Sequence, residues 1–210
     1  MKHKIKKSKR RLRDVKRIRN HYRQFVASVE ETPPVTARRV RKVLIYESEY
    51  AFICRETLRM ADLGLETGGQ FFGKVSWGGT LLVTKVLGPG PNAQHSPAFF
   101  QQDIPFMKRE SERIIRIGSL KQIGEWHSHH RLGLSVPSGR DSKSMFTALR
   151  MHSEMSQYLL SIAVCDDRFA NATPFMYNRD GYETWEWDVI PAKVLSAKSL
   201  NRDDDTPAPG

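Results

Sequence analysis

The chain has 210 residues and a mass of 24.1 kDa, a length that suits one domain with extensions better than two full domains. Hydrophobic residues make up 39% and charged residues 27%, enough apolar material for a core, yet no apolar run approaches the roughly 20 residues of a membrane-spanning helix. The reading excludes a transmembrane protein, finds no apolar stretch of signal-peptide type behind the basic first residues MKHKIKKSKRR, and predicts a cytoplasmic location. Two cysteines, Cys54 and Cys165, cannot build a disulfide framework and are expected as free, partly buried thiols in a reducing compartment.

A net charge of +11 and an isoelectric point of about 9.8 suggest a polyanion ligand until the charge is located. Residues 1–24 hold twelve Lys and Arg against one acid, Asp14, and so carry the whole excess. The rest of the chain has 22 basic and 22 acidic side chains and is neutral. Nucleic acid is therefore expected as a partner only through residues 1–24. Val15, Ile18, Tyr22 and Phe25 give this leader one apolar stripe, too little for a stable isolated helix. Thr32-Pro33-Pro34 then breaks any continuing helix. The expected organisation is a basic leader and linker over 1–39, a folded domain over 40–192, and a disordered tail over 193–210, whose SLNRDDDTPAPG ending cannot bury enough surface to order itself.

Within the domain, Val43 to Tyr46 predicts a short strand, and Tyr50, Ile53, Cys54, Thr57, Leu58 and Ala61 recur at helical spacing before Gly64 closes the helix. Gly69 to Trp77 and Thr80 to Leu87 predict a hairpin joined by a two-residue turn at Gly78-Gly79. Gly88 to Asn92 is loop. A second helix is expected over Ile104 to Ile117, with Asp103 as N-cap and Met107, Ile114 and Ile115 facing inward. Lys121 to His129 predicts a strand, Ser138 to His152 a helix, Gln157 to Cys165 a buried strand, and Thr173 to Tyr177 with Tyr182 to Ile190 a closing β pair. This order gives an α/β domain with a mixed sheet and no internal repeat. Trp126, Phe71, Phe72, Tyr50 and Met60 are expected in the core.

The chemistry concentrates at Glu125-Trp126-His127-Ser128-His129-His130, followed by Pro137-Ser138-Gly139-Arg140-Asp141. On a strand, residues two apart share a face, so His127 and His129 project together while Ser128 faces away. Two imidazoles and a carboxylate from the next element make a three-ligand site with one open position, the arrangement in which zinc lowers the pKa of its water to about 7. Each signal has a plainer reading. A His-x-His can be a surface pair, and Ser138-x-x-Asp141 reads as a capping box at a helix start. The two together favour a metal site, and a capping serine also holds its hydroxyl where a helix N-terminus favours a developing oxyanion.

His127-Ser128-His129 with Ser138-x-x-Asp141 resembles the JAMM signature of the MPN (JAB) metalloproteases. The resemblance covers roughly residues 42–190 and implies a cytidine-deaminase-like three-layer α/β fold, a mixed central sheet flanked by helices. It further implies one Zn²⁺ per chain held by His127, His129 and Asp141, with Glu66 of the Leu65-to-Gly73 segment as the base that moves the proton and Ser138 as the oxyanion donor. Gly88-Pro89-Gly90-Pro91-Asn92-Ala93 and His95-Ser96-Pro97 look like the bacterial JAB proteins encoded beside ubiquitin-like proteins and E1-like and E2-like enzymes in antiphage operons of the ubiquitination-like (Bil) or cyclic-nucleotide (CBASS) type. The implied activity is an isopeptidase or peptidase that cuts after the C-terminus of a ubiquitin-like protein, with that protein, its conjugates and the two enzymes as partners and no membrane.

One departure is visible. Eight residues, against the family's usual seven, separate His129 from Ser138, which predicts a longer turn at little closure cost. His130 stands where the family often has proline and reads as a surface imidazole. For the base, strand periodicity favours Glu125, which shares the face of His127 and His129, whereas the resemblance and the need for a base that is not a ligand favour Glu66. Two other classes of function stay open: a nucleic-acid-associated JAB protein of the DNA-repair type acting through the leader, and a non-catalytic MPN scaffold.

Overall fold

The structure is a computed structural model describing residues 40–76, 78–129, 134–151, 155–166 and 168–191. The expectations for residues 1–39, for His130 and for the tail lie outside these. Among the described residues, ten strands and three helices follow in the order β1 (Lys42–Tyr46), α1 (Glu47–Ala61), β2 (Gly68–Val75), β3 (Thr80–Leu87), β4 (Gln94–Ser96), β5 (Phe99–Gln101), α2 (Ile104–Gly118), β6 (Lys121–Ser128), α3 (Gly139–Met151), β7 (Tyr158–Cys165), β8 (Ala170–Tyr177), β9 (Tyr182–Thr184) and β10 (Trp187–Ile190). Eight strands form one mixed sheet in the order β10-β1-β3-β2-β6-β7-β8-β9, and β4 and β5 form a separate hairpin. The architecture is the mixed sheet with flanking helices that the resemblance implies.

Strand alternation divides the apolar residues between the two sheet faces. Val43, Ile45, Phe71, Val83, Leu159, Ala163 and Met176 form a core with Ile53 of α1 on one face. On the other face, Phe72 and Leu87 meet Met107 and Ile114 of α2, while Leu160, Ile162, Phe175 and Tyr177 meet Met145 and Leu149 of α3. The result is three layers, with α1 the one helix on the inner side among the described residues. Among the described residues no helix is long and apolar enough to cross a membrane. Cys54 and Cys165 are both half-buried and outside any disulfide.

The sheet curls around α1. β9 ends at Thr184 and β10 begins at Trp187, yet they occupy opposite edges of the sheet. Seven interstrand steps of about 4.8 Å would separate the edges of a flat sheet by about 34 Å, whereas three residues of extended chain span at most about 11 Å. Helix α1 accordingly contacts β1, β3, β7, β8 and β10 at once. Tyr182 to Ile190 is therefore not a continuous partner of β8: β9 pairs antiparallel with β8, and β10 pairs parallel with β1. Trp187 packs edge-on to Phe71 at 5.9 Å between ring centroids, and burial of that ring gives the chain a reason to cross over.

Local expectations meet the structure in detail. Asp103 caps α2 by accepting from the Phe106 amide at 3.1 Å, and Met107 and Ile114 are buried, but Ile115 is 43% exposed. One helical step of 100° carries it off the stripe. The β2–β3 ladder closes at Ser76 and Thr80, where Ser76 N–H donates to Thr80 O at 2.8 Å, and Trp77, expected at the end of the first strand, lies outside the described residues. Gly79 takes the positive φ of 77°. Trp126, Phe71, Phe72 and Met60 are core residues, with Tyr50 packed at its edge.

Trp126 ties three elements together. It is 1% exposed, meets Phe52 of α1 edge-on at 6.3 Å, and donates its indole N–H to Leu87 O of β3 at 3.1 Å. Gly69 lies between them, where any Cβ would overlap the Leu87 carbonyl. Replacing Trp126 by Phe should cost about 1–3 kcal/mol, because it leaves that buried carbonyl without its donor, and Trp126→Ala about 3–5 kcal/mol. Urea titrations should show both as shifts in midpoint at unchanged slope.

Candidate metal centre

The site forms at one end of β6 and the first turn of α3. His127 is on the strand and His129 just beyond it, still tied to the sheet by its amide, which donates to Ala163 O at 2.8 Å. Trp126 and Ser128 point to the α1 side, which leaves His127 facing the side that carries α3. The rings of His127 and His129 lie 4.9 Å apart, with Nε2 to Nε2 at 3.1 Å.

Helix α3 starts where the capping box predicts. Ser138 Oγ accepts from the Asp141 amide at 3.2 Å, and Asp141 Oδ2 accepts from the Ser138 amide at 2.6 Å. The box fixes Asp141 so that Oδ1 lies 3.3 Å from His127 Nε2 and Oδ2 lies 3.5 Å from His129 Nε2. The carboxylate reaches both imidazoles despite the additional residue in the preceding loop. That loop contributes directly, since Leu134 O lies 2.7 Å from His129 Nδ1. With Nδ1 donating to this carbonyl, the Nε2 lone pair is turned toward the cluster, the arrangement that orients ligating histidines.

The donor set fits a metal ion. Ligand atoms of His127, His129 and Asp141 all lie within 4.8 Å of one another, and the separations of 3.1, 3.3 and 3.5 Å bracket the edge of roughly 3.3 Å for a tetrahedron with metal–ligand bonds of 2.0–2.1 Å. Burial works against the charge of Asp141, yet hydrogen bonds from His127, His129 and Ser138 outweigh it and hold the carboxyl far below the usual carboxylate range. Burial also disfavours the charged form of His129, but the Asp141 carboxylate, the Leu134 carbonyl and the charge of Glu66 together raise its pKa. A group of negative and lone-pair donors that draws in a positive charge is what a cation site requires.

Glu66 lies in the segment just before β2 and is not one of the three clustered residues. Its charge contributes to the raised pKa of His129, and its carboxylate is not among the clustered ligand atoms. Two contacts hold the segment. Ser128, 0% exposed, donates its amide to Thr67 O at 2.8 Å and accepts the Thr67 amide on Oγ at 2.9 Å. On the other side, the Glu66 amide donates to Ser96 O at 2.9 Å, and His95 Nδ1 bonds to Glu66 O at 2.8 Å.

Glu125 shares the face of His127, as the strand period requires, but its carboxylate bonds to Tyr158 and is not among the clustered ligand atoms. Burial pushes its carboxyl pKa up. Sequence reasoning missed the roles of His95 and Ser128. The β4–β5 hairpin that brings His95 to Glu66 has strands of three residues, too short for a periodic signal. Ser128 carried a signal, since a hydroxyl facing inward from a buried strand needs a partner.

No known family profile matches the chain. It is 27% identical over 125 residues, 59% of this chain and 75% of the relative, to a probable metalloprotease, y4qB, of Sinorhizobium fredii. Its fold is similar to the solution structure of protein DSY2949 from Desulfitobacterium hafniense, with a TM-score of 0.52, 19% identity, and coverage of 71% of this chain and 93% of that one. The metalloprotease relative and the cluster of two histidines and an aspartate both fit a metallohydrolase.

Purified protein should bind about one divalent metal ion per chain, read by elemental analysis after dialysis, and His127→Ala or Asp141→Ala should lose most of it because two of the three candidate donors remain. Full occupancy in the Asp141 variant would show that a different residue completes the set.

Proposed function

We propose that the protein is a zinc-dependent peptidase of the JAMM type that hydrolyses the amide or isopeptide bond following the C-terminal residue of a ubiquitin-like protein. The observation that carries this reading is the convergence of His127, His129 and Asp141 at tetrahedral-edge distances, with a second carboxylate, Glu66, whose charge acts on His129 and which is outside the clustered group. The probable metalloprotease of Sinorhizobium fredii supports peptidase chemistry. The substrate class rests on the resemblance carried by residues 88–97, part of which builds the hairpin that holds Glu66. Conjugates of that protein and the associated E1-like and E2-like enzymes are the proposed partners.

A zinc ion held by His127, His129 and Asp141 would supply Lewis acidity and an acidified water at neutral pH. Glu66 takes the proton from the attacking water on its carboxylate and delivers it to the leaving amine, which a base that is also a ligand could not do freely. The Ser138 hydroxyl, at the N-terminus of α3, donates to the oxygen that becomes negative as the carbonyl carbon turns tetrahedral. Peptide nitrogen leaves as the amine and water oxygen stays on the new carboxylate.

Glu66→Gln should retain zinc and lose about 10²–10⁴-fold in cleavage of a ubiquitin-like fusion, since the carboxamide cannot accept the proton. Ser138→Ala should also retain zinc and lose about 10²–10³-fold in kcat. Paired activity assays and elemental analyses check both. Zinc loss in the Glu66 variant would make that residue a ligand and remove the mechanism.

A further inference from the structure

We infer that His95 is a positioning residue for the base of the proposed reaction: from the β4–β5 hairpin it holds the backbone of Glu66 and so sets where that carboxylate stands relative to His127, His129 and Asp141. The inference rests on the peptidase reading above. Both backbone polar groups of Glu66 are taken by adjacent residues of the hairpin. Its amide donates to Ser96 O at 2.9 Å, and its carbonyl oxygen lies 2.8 Å from His95 Nδ1. A carbonyl oxygen only accepts, so Nδ1 carries the proton and donates. In a regular ladder both partners would be backbone groups, indifferent to sequence. Here one is a side chain, which makes the hold on Glu66 depend on the residue at position 95.

The imidazole is itself fixed. His95 and Phe100 are direct partners across the hairpin, and their rings lie 5.5 Å apart between centroids. Phe100 in turn stands over Gly68, where a Cβ would come within 2.8 Å of the phenyl ring and 2.9 Å of the His127 Cβ. Gly68 is the partner of His127 in the β2–β6 ladder. The hairpin thus rests on the strand pair that carries one of the clustered histidines, and only a residue without a side chain lets it come so close. It also reaches the helix of Asp141, since the Arg140 guanidinium lies over the Phe99 ring at 5.5 Å from its centroid. Set against β2, β6 and α3, the hairpin passes that frame to Glu66 through His95.

Leverage sets the size of the effect. A turn of about 15° in the Glu66 backbone swings a carboxylate that reaches roughly 4 Å from its Cα by about 1 Å, and misplacement of that order costs about 10²-fold in rate. Ser128 holds the next residue, Thr67, through separate bonds, so removing the His95 side chain releases the Glu66 carbonyl without detaching β2. His95 is not one of the clustered residues, and the metal should stay in place without it. The loss falls on the chemical step, where the base acts, and not on binding.

The test follows cleavage of ubiquitin fused at its C-terminus to a short peptide, with the zinc-loaded full chain. His95→Ala should keep its zinc and lose about 10–10²-fold in kcat at a KM within about twofold of wild type. His95→Asn, whose Nδ2 can donate from the place of Nδ1, should recover to within about threefold of wild type. Adding His95→Ala to Glu66→Gln should cost less than about twofold more, because the group it positions is gone. Wild-type kcat in His95→Ala, a loss in His95→Asn as deep as in His95→Ala, or a full further loss in the double variant overturns the inference. A second measurement needs no activity. By NMR the Glu66 amide should exchange with solvent at least about tenfold faster in His95→Ala than in wild type, and His95→Asn should reverse this. Unchanged exchange overturns the inference and leaves the peptidase reading standing. Faster exchange in a protein whose wild type cleaves nothing leaves the positioning standing and removes the peptidase reading. Should His95→Ala be too unstable to study, the ¹⁵N spectrum of the wild-type histidines decides, with the His95 signals assigned by their loss in His95→Asn. A proton on Nδ1 supports the inference, and a bare Nδ1 overturns it.

Discussion

Ser128 sits fully buried between two histidines, and both its amide and its hydroxyl bond to Thr67. Each such bond contributes only about 1 kcal/mol net, but a buried group left without its partner costs more, so the pair fixes the start of β2 against the end of β6. Glu66 is the residue before Thr67. Through this contact an acid and two imidazoles some 60 residues apart in sequence share one frame. The β4–β5 hairpin grips the same residue from the other side. Alternation along β6 allows all of this, because Ser128 can face the interior only if its two neighbours do not.

Asp141 shows how a stability device and a candidate ligand can be the same atoms. One oxygen accepts the Ser138 amide and lies toward His129, while the other lies toward His127. The capping geometry immobilises the carboxylate through the backbone of α3, so its orientation does not depend on what it binds. Ordering entropy that a free side chain would lose on coordination is already lost on folding. The Leu134 carbonyl does the same for His129.

Much of this was legible because it is local. The α1 stripe, the Asp103 cap and the Ser138 box each lie within a few residues, and strand alternation placed His127 and Glu125 on one face. What could not be read depends on distant partners. Nothing near Trp187 says that its strand crosses to β1, since that choice is made by the ring of Phe71 and the curl of the sheet. The strand period could not tell that Glu125 turns to Tyr158, nor that a register shift at Ile123 sets Gln122 on the same side. The first depends on β7, which pairs with β6 in parallel from more than 30 residues away, and the second on β2, which pairs with β6 antiparallel. The β4–β5 hairpin was invisible for a different reason, its strands being shorter than one full repeat of any pattern.

The pairing of β1 with β10 sets the order of events during synthesis. Val43 lies beside Trp187 in the finished sheet, a separation close to the full length of the domain, and β1 has β3 as its partner on the other side. Helix α1 and the β2–β3 hairpin can form early from neighbouring residues. The β10 edge stays open until residues 187–190 leave the ribosome. Loop closure over such a distance slows folding, and an unpaired β1 edge is the surface through which two nascent chains would join. The domain thus spends its most aggregation-prone interval nearly complete, waiting for a strand of four residues.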